Sequence, residues 1–337
     1  MSETLRVPAQ ELNDEFFRVL CKHGYDIEGA KLSARLFTQA TQDGVNSHGL
    51  NKFPQLIEYI SNGWVKPEVK PRSLYTEGSI ERWDGQQGPG DCNAYFAMNR
   101  AIQKAKETGL GLIGLRNTNH WMRPGNYGWQ AIEAGCMGIC WSNTAPNMVA
   151  WGTRNRIFGN NPLVLAIPHN DKPLVLDMAM SQFSYGKMDI YHRAGRQMPF
   201  PAGYDKDWQV TTDPGAALEH GYVMPTGYWK GSGLSLMLDL LAAILSIGNS
   251  TREIGQGDWE TNLSQVFLAI HPGGENQQEH IATVVNSTIK ELLSSMPIDT
   301  GGSAPRYPGQ STLATRKKNR QLGVPVDQEI WQKVKSL

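Results

Sequence analysis

Around the segment GLGLIGLRN, residues 109 to 117, the elements come in an order that rules out a whole class of folds. Gly109 to Gly114 have the spacing G-x-G-x-x-G, the dinucleotide fingerprint of Rossmann folds. In that context the glycines follow a strand and open a helix, so that the helix N-terminus meets the pyrophosphate. Here the order is reversed. Residues 94–107, AYFAMNRAIQKAKE, carry Ala94, Ala97, Met98, Ala101, Ile102 and Ala105 at the spacing of one helix face. Gly109 stands where a helix C-cap belongs, and LGLIGLRN reads as the strand that follows. Glu133 lies near the separation expected of a ribose-binding acid, but it falls in WQAIEAG, a helix-like segment. These glycines therefore predict a helix cap and small residues in a tight strand. If the chain holds a dinucleotide, it does so by other means.

The two ends of the chain read as helices. Pro8 suits a first helical residue, Leu12, Phe16, Val19 and Leu20 make one face, and Gly24 ends the run. A second helix is predicted from about Asp26 to Thr41 and a third over residues 49–61, with Phe53, Leu56, Ile57 and Ile60 inward. After residue 277 the texture is helical again, through EHIATVVNSTIKELLSS, STLATRKKNRQLG and DQEIWQKVKSL. Between the ends, the β-like runs IERWDG, GLIGLRN, CMGICWSN, LVLAIP, KPLVLDM and VFLAIHP alternate with helical segments at 94–107, 126–134 and 233–247. The fold class is α/β. Residues 1–73 plus 280–337 are expected to form a helical domain, and 74–279 an α/β domain. In GYWKGSGLSLMLDLLAAILS, the residues Leu234, Met237, Leu238, Leu241, Ile244 and Leu245 predict a buried helix.

Charge excludes several roles. The 337-residue chain has 32 basic and 32 acidic residues, with no basic run for nucleic acid and no acidic tail. Its most apolar run, residues 234–247, is too short to span a bilayer and contains Asp239. The N-terminus lacks the pattern of a signal peptide, and the four cysteines form neither a C-x-x-C pair nor a zinc-spaced cluster. A cytoplasmic protein with free thiols and no metal is expected. The P-loop, H-E-x-x-H and G-x-S-x-G signatures are absent.

Three stretches carry candidate chemistry. In QDGVNSHGLNKF, His48 lies in a Gly/Asn-rich break between helices rather than on an apolar face. Ser47 is placed to cap the third helix, and Lys52 to attract a carboxylate. His120 follows a strand, where sites gather, or simply bonds a neighbouring backbone group. Lys230, Gly231, Ser232 and Gly233 introduce a helix, as suits a phosphate, or form a plain loop. PRYPGQST precedes a further helix and offers a second backbone wall.

The set DGVNSHG, RNTNHWMRPGNYGWQAIEAG, GICWSN, NNPLVLAIP, LDMAMSQFSYG and GYWKGSGLSLMLDLLA resembles the malate/L-lactate dehydrogenase family that lacks a Rossmann fold. The resemblance runs from about residue 10 to the end. It implies a helical domain built from both chain ends beside a largely antiparallel sheet that binds NAD(H) unconventionally, with NADP(H) also possible. It implies a homodimer and reversible hydride transfer at a 2-oxo acid, with 2,3-diketo-L-gulonate giving 3-keto-L-gulonate. Another 2-oxo acid, a cyclic imino acid, or a binding protein that has lost catalysis stay open. By the resemblance, His48 is the proton donor. Asp177 is either its partner or a cofactor ligand. Ser47, Lys52, His120 and Asn161 hold the substrate. By the resemblance, cofactor contacts fall on Leu174, Val175, Leu176, Asp177, Met178 and Ala179, on Trp229 and Lys230, and on Pro308, Gly309 and Gln310; the adjacent Gly231 and Ser232 join them by the anion-site argument. Relatives often have arginine at the position of Lys52 and Thr-Asn where this chain has Asn160-Asn161.

Overall fold

A computed structural model describes residues 5–298 and 304–337. The helix Ala9–Lys22 buries Leu12, Phe16, Val19 and Leu20, the face its spacing predicts. The helix Ile27–Gln42 starts at Asp26, whose carboxylate accepts from the Gly29 N–H at 2.6 Å. Phe16, Phe37 and Phe53 meet at the centre of this part of the core, and ring centroids of Phe16 and Phe53 lie 4.4 Å apart. Val7, Val324, Val326, Trp331 and Val334 fill the same core, so both ends of the chain pack together.

The third helix spans Phe53–Ser61 and is shorter than its apolar spacing predicts. Asn46–His48 and Leu50–Lys52 form two 3-10 turns ahead of it. The cause is the close passage of Gly49 over the preceding helix, where a Cβ would come within 2.4 Å of Thr41 Oγ1. Thr41 Oγ1 also accepts from the Leu50 N–H at 3.0 Å. The chain is pinned there and cannot continue a regular helix.

Seven strands form the main sheet: β1 (Arg72–Glu77), β2 (Ile80–Asp84), β3 (Leu110–Thr118), β4 (Met137–Ser142), β5 (Leu163–Ile167), β6 (Leu174–Met178) and β7 (Leu263–Ile270). Their spatial order is β1-β2-β3-β7-β4-β5-β6. Only the β2–β3 pair is parallel, so the sheet is largely antiparallel and the last strand lies at its centre. β6 is an edge strand.

Each fingerprint glycine has a structural reason, conformational at Gly109 and steric at Gly111 and Gly114. Gly109 has φ +88° and caps the helix Gly90–Thr108. A Cβ on Gly111 would meet Ala101 O at 2.1 Å, and one on Gly114 would meet Leu245 O at 2.5 Å. Backbone from Gly90–Thr108 and from the helix Trp229–Ser246 presses on β3 at these two positions, leaving no room for a side chain.

That close approach overturns the reading of residues 234–247 as a buried apolar helix. The buried side of Trp229–Ser246 carries Gly231, Ser232, Ser235, Leu238, Asp239, Ala242 and Ser246. Leu234, Met237, Leu241 and Ile244 face outward, with Met237 52% and Ile244 67% exposed. Small residues allow the helix to sit against the sheet, and the large apolar ones are left on the surface. Among the described residues, no helix is long and apolar enough to cross a membrane.

Candidate active site

A cleft of about 820 Å³ lies where the 3-10 turns, the segment after β3, the edge strand β6 and the turn Arg306–Gly309 converge. That size is within the usual range for small-molecule sites, roughly 300–1,000 Å³. Ser47, His48, Lys52, His120, Arg123, Asp177 and Glu260 all line it.

His48 is placed by the second half of the Asn46–His48 turn. Its Nδ1 lies 3.0 Å from Ser47 Oγ, which leaves Nε2 for the cleft. Ser47 thus contacts the His48 ring and makes no cap on the following helix, contrary to the expectation from its spacing. The rings of His48 and His120 stack at 5.8 Å between centroids. His120 Nδ1 accepts from the Met122 N–H at 3.0 Å, so its ring proton sits on Nε2. Met122 adopts φ 60°, a left-handed conformation that turns this N–H back onto the ring.

The electrostatics keep both rings neutral. Burial, then Lys52, then Arg123 bring the His48 pKa down from 6.5 to about 4. His120 is held well below the ordinary histidine value by burial, with Lys52 and His48 adding to the effect. Lys52 itself is lowered by burial and partly restored by Glu260. The inner end of the cleft is thus rich in positive potential, as suits an anion. An anion bound at Lys52 would offset the charge that depresses His48 and raise its pKa again.

Asp177 does not partner His48. Its Oδ2 accepts from the Gly125 N–H at 2.8 Å, and Arg123 is the charge that acts on it. Surrounding protein pushes its carboxyl above the usual carboxylate value, an effect softened because solvent in the cleft reaches it. On β6, Val175, Leu176, Asp177 and Ala179 border the cleft, whereas Leu174 and Met178 pack into neighbouring apolar clusters. The Val175 N–H leaves the ladder to donate to Pro308 O at 3.2 Å. By strand alternation, the backbone of Asp177 points the same way, and an edge strand can offer such groups to a ligand.

Several expected contacts lie elsewhere. Asn161 is fully buried and spent on structure: its Oδ1 accepts from Thr144 N at 3.1 Å and its Nδ2 donates to Ser235 O at 2.9 Å. Its neighbour Asn160 lines the cleft instead. Pro308 and Gly309 form part of the cleft wall, but Gln310 starts a helix and turns its Oε1 back to the Tyr307 N–H at 3.3 Å. Trp229, Lys230, Gly231 and Ser232 do not border this cleft. The N–H groups of Lys230, Gly231 and Ser232 donate to the carbonyls of Gly227, Thr226 and Tyr228, so they present no anion site. Gly231 is needed for that turn, since a Cβ there would meet Thr226 O at 2.1 Å.

Sequence reasoning missed five contributors: Asp43, Arg123, Arg316, Glu260 and Asn147. Asp43, buried, accepts from both Arg123 and Arg316, the latter at 2.6 and 2.7 Å, and ties the 3-10 turns to the rest of the cleft. Arg316 in turn stacks over Trp129 at 4.5 Å. Glu260 and Asn147 complete the wall near Lys52. Only Asp43, one residue before the glycine of DGVNSHG, and Arg123, in the loop after His120, stood inside stretches that drew attention. Arg123 Nε, Trp129 Nε1 and Asn147 Oδ1 are buried without a hydrogen-bond partner among the described residues. All three residues line the cleft, and unsatisfied polar atoms of this kind mark a place built for a polar ligand.

Comparison with known proteins agrees with this architecture. The 2,3-diketo-L-gulonate reductase of Escherichia coli strain K12 is 39% identical over 338 residues, covering 99% of this chain and all of that one. The malate dehydrogenase of Entamoeba histolytica superposes with a TM-score of 0.92 at 26% identity, covering 99% of this chain and 97% of that one. The malate dehydrogenase of Pyrococcus horikoshii gives 0.89 at 29% identity, with 99% and 94% covered. Neither fold nor sequence stands apart from these enzymes: the malate/L-lactate dehydrogenase family matches residues 7–335, and the chain belongs to that family, an oxidoreductase acting on a small oxo acid.

Proposed function

We propose that the chain reduces 2,3-diketo-L-gulonate to 3-keto-L-gulonate with NADH, in a reversible reaction at the 2-oxo carbon. The observation that carries the reading is the cluster of His48, Lys52 and His120 at one end of a cleft whose other wall is an edge strand. The relative from Escherichia coli is named for that substrate. The residues fit a dinucleotide: Val175 to Asp177 and Ala179 offer backbone and carboxylate acceptors, Pro308-Gly309 a close wall, and Trp129 Nε1 an unpartnered donor. When bound, the nicotinamide supplies the hydride.

The chain's own residues do the rest. Lys52 holds the substrate carboxylate. His120, fixed as the Nε2–H tautomer by Met122, donates a hydrogen bond to a substrate oxygen but cannot serve as the acid. His48 holds the transferable proton at Nε2, while Ser47 steadies Nδ1. Substrate binding raises its pKa by placing negative charge beside it, so that the proton is available only in the loaded site. Asp177 serves the cofactor rather than His48. Roughly 10²–10⁴-fold in rate is the usual share of such an acid.

The domain division also belongs to this reading: the helical part brings His48 and Lys52, and the sheet part brings β6. We place the working form as a homodimer, joined in part by the outward apolar face of Trp229–Ser246, with Trp229 and Lys230 available to the partner copy. The four free thiols suit a reducing compartment, the cytoplasm.

The test is loss of NADH absorbance on 2,3-diketo-L-gulonate, with oxaloacetate, pyruvate and NADPH in parallel. Turnover on the diketo acid supports the reading. Turnover only on another oxo acid would overturn the substrate and keep the role of His48.

A further inference from the structure

Two acceptor atoms on one side of the cleft have no task in the reaction just described. Glu260 borders the cleft beside Lys52 and His120. Its Oε2 accepts from the Ala145 N–H at 3.1 Å, which anchors the carboxylate to the 144–147 segment and leaves Oε1 available to the cleft. Lys52 acts on Glu260 through space, and no direct ion pair joins them among the described residues. Asn147 belongs to the same segment. Its Nδ2 donates to Asn160 Oδ1 at 3.1 Å, which fixes the amide orientation, and its Oδ1 is the buried acceptor left without a donor.

A carboxylate oxygen and an amide oxygen accept hydrogen bonds and donate none. What satisfies both is a ligand carrying more than one O–H group. A ligand with a second carboxylate would instead bring like charge against Glu260, whose carboxyl is pushed up by burial and held down in part by Lys52 and the Ala145 N–H. We infer that Glu260 and Asn147 form an acceptor wall that selects a hydroxyl-bearing substrate tail and rejects a second carboxylate. The site then takes a polyhydroxylated 2-oxo acid in preference to a dicarboxylic one such as oxaloacetate. This inference rests on the oxo-acid reading of the cleft and names the residues that set its substrate class. Lys52 takes the carboxylate that both substrate classes share, and the acceptor wall reads the part in which they differ.

The experiment compares wild type, Glu260→Gln and Asn147→Ala by kcat/KM on 2,3-diketo-L-gulonate and on oxaloacetate. In Glu260→Gln the ratio of the two is expected to fall roughly 10- to 100-fold, since a hydrogen bond to a charged group is lost and a repulsion is removed. Asn147→Ala should weaken use of the diketo acid without improving oxaloacetate. If both substrates fall together in Glu260→Gln, the residue only supports Lys52 and the inference is overturned. Calorimetry on the wild-type protein supplies an arm that needs no turnover and no variant: L-gulonate should bind at least about tenfold more tightly than L-malate. Equal or inverted affinities would overturn the acceptor wall. A gulonate preference with no reduction of any oxo acid would sink the proposed reaction and leave this inference standing.

Discussion

Two turns that lead into helices meet different fates in this molecule. At residues 46–52 the polar groups end up unspent: His48 keeps Nε2 open to the cleft and Lys52 has no ion pair among the described residues. At residues 226–233 the polar groups are used up. The N–H groups of Lys230, Gly231 and Ser232 close on local carbonyls, and Ser232 Oγ accepts from the Trp151 N–H at 3.0 Å. What stays unsatisfied there is apolar: Trp229 is 65% exposed, and Met237 and Ile244 continue the patch along the helix. Polar groups left open in a concavity suit a small polar ligand, whereas apolar side chains left open on a convex face suit another protein surface.

The strongest way to break this contrast is at His48. His48→Asn is expected to lower kcat about 10²–10⁴-fold while NADH affinity, read by fluorescence titration, stays near wild type. Collapse of NADH binding instead would make His48 a cofactor contact. The same ring sets a response to acid. Its folded pKa of about 4 lies below the unfolded 6.5, so unfolded chains bind more protons between those values. Its contribution to stability is complete above about pH 6.5 and declines as pH falls towards about 4, and His48→Asn should flatten that part of a Tm-against-pH curve.

Next comes the support of the first turn. Asp43→Ala leaves Arg123 and Arg316 without their shared carboxylate, and breaking such a buried pair costs about 3–5 kcal/mol. Chemical denaturation should read that loss, and Asp43→Glu should recover part of it.

On the second turn the effects concern association and then almost nothing. Ile244→Glu is expected to shift the molecule from dimer to monomer in light scattering while the isolated chain stays folded. An unchanged mass would remove this face from the interface. Gly233→Ala, with open space around its Cβ and in a helix interior, should raise stability by about 0.5–1 kcal/mol. If the glycine amides of this turn held a phosphate, that substitution would weaken NADH binding instead.

Much of the architecture was legible along the chain because period and punctuation are local. The apolar spacing of Ala9–Lys22, the glycine cap at 109 and the β-like runs behind six of the seven strands each follow from a few neighbouring residues. β1 escaped notice because every one of its residues is exposed, so RSLYTE shows no alternation to read. The helix Trp229–Ser246 was read inside out: hydrophobicity predicts which residues shun water, but the close approach of Leu245 O to Gly114 decides that only small ones fit against the sheet.

The candidate site divides in the same way. His48, Lys52 and His120 stood in breaks between elements, where histidine and lysine on no apolar face invite a chemical role. Glu260 stood in WETN, a stretch with no period and no motif. It comes to stand beside Lys52 because β7, the last strand of the main sheet, lies at the centre of that sheet and brings the preceding turn to the Ala145 N–H.

Thus the sequence by itself determined the α/β class, the exclusion of a Rossmann start at residues 109–114 and the candidates within the S-H-G turn, because each depends on residues a few positions apart. The tertiary structure alone decided that Asn161 is structural, that Asp177 serves Gly125 rather than His48, and that Glu260 faces Lys52. Those are matters of which groups find a hydrogen-bond partner in the folded chain, and such partners come from segments tens to more than two hundred residues away.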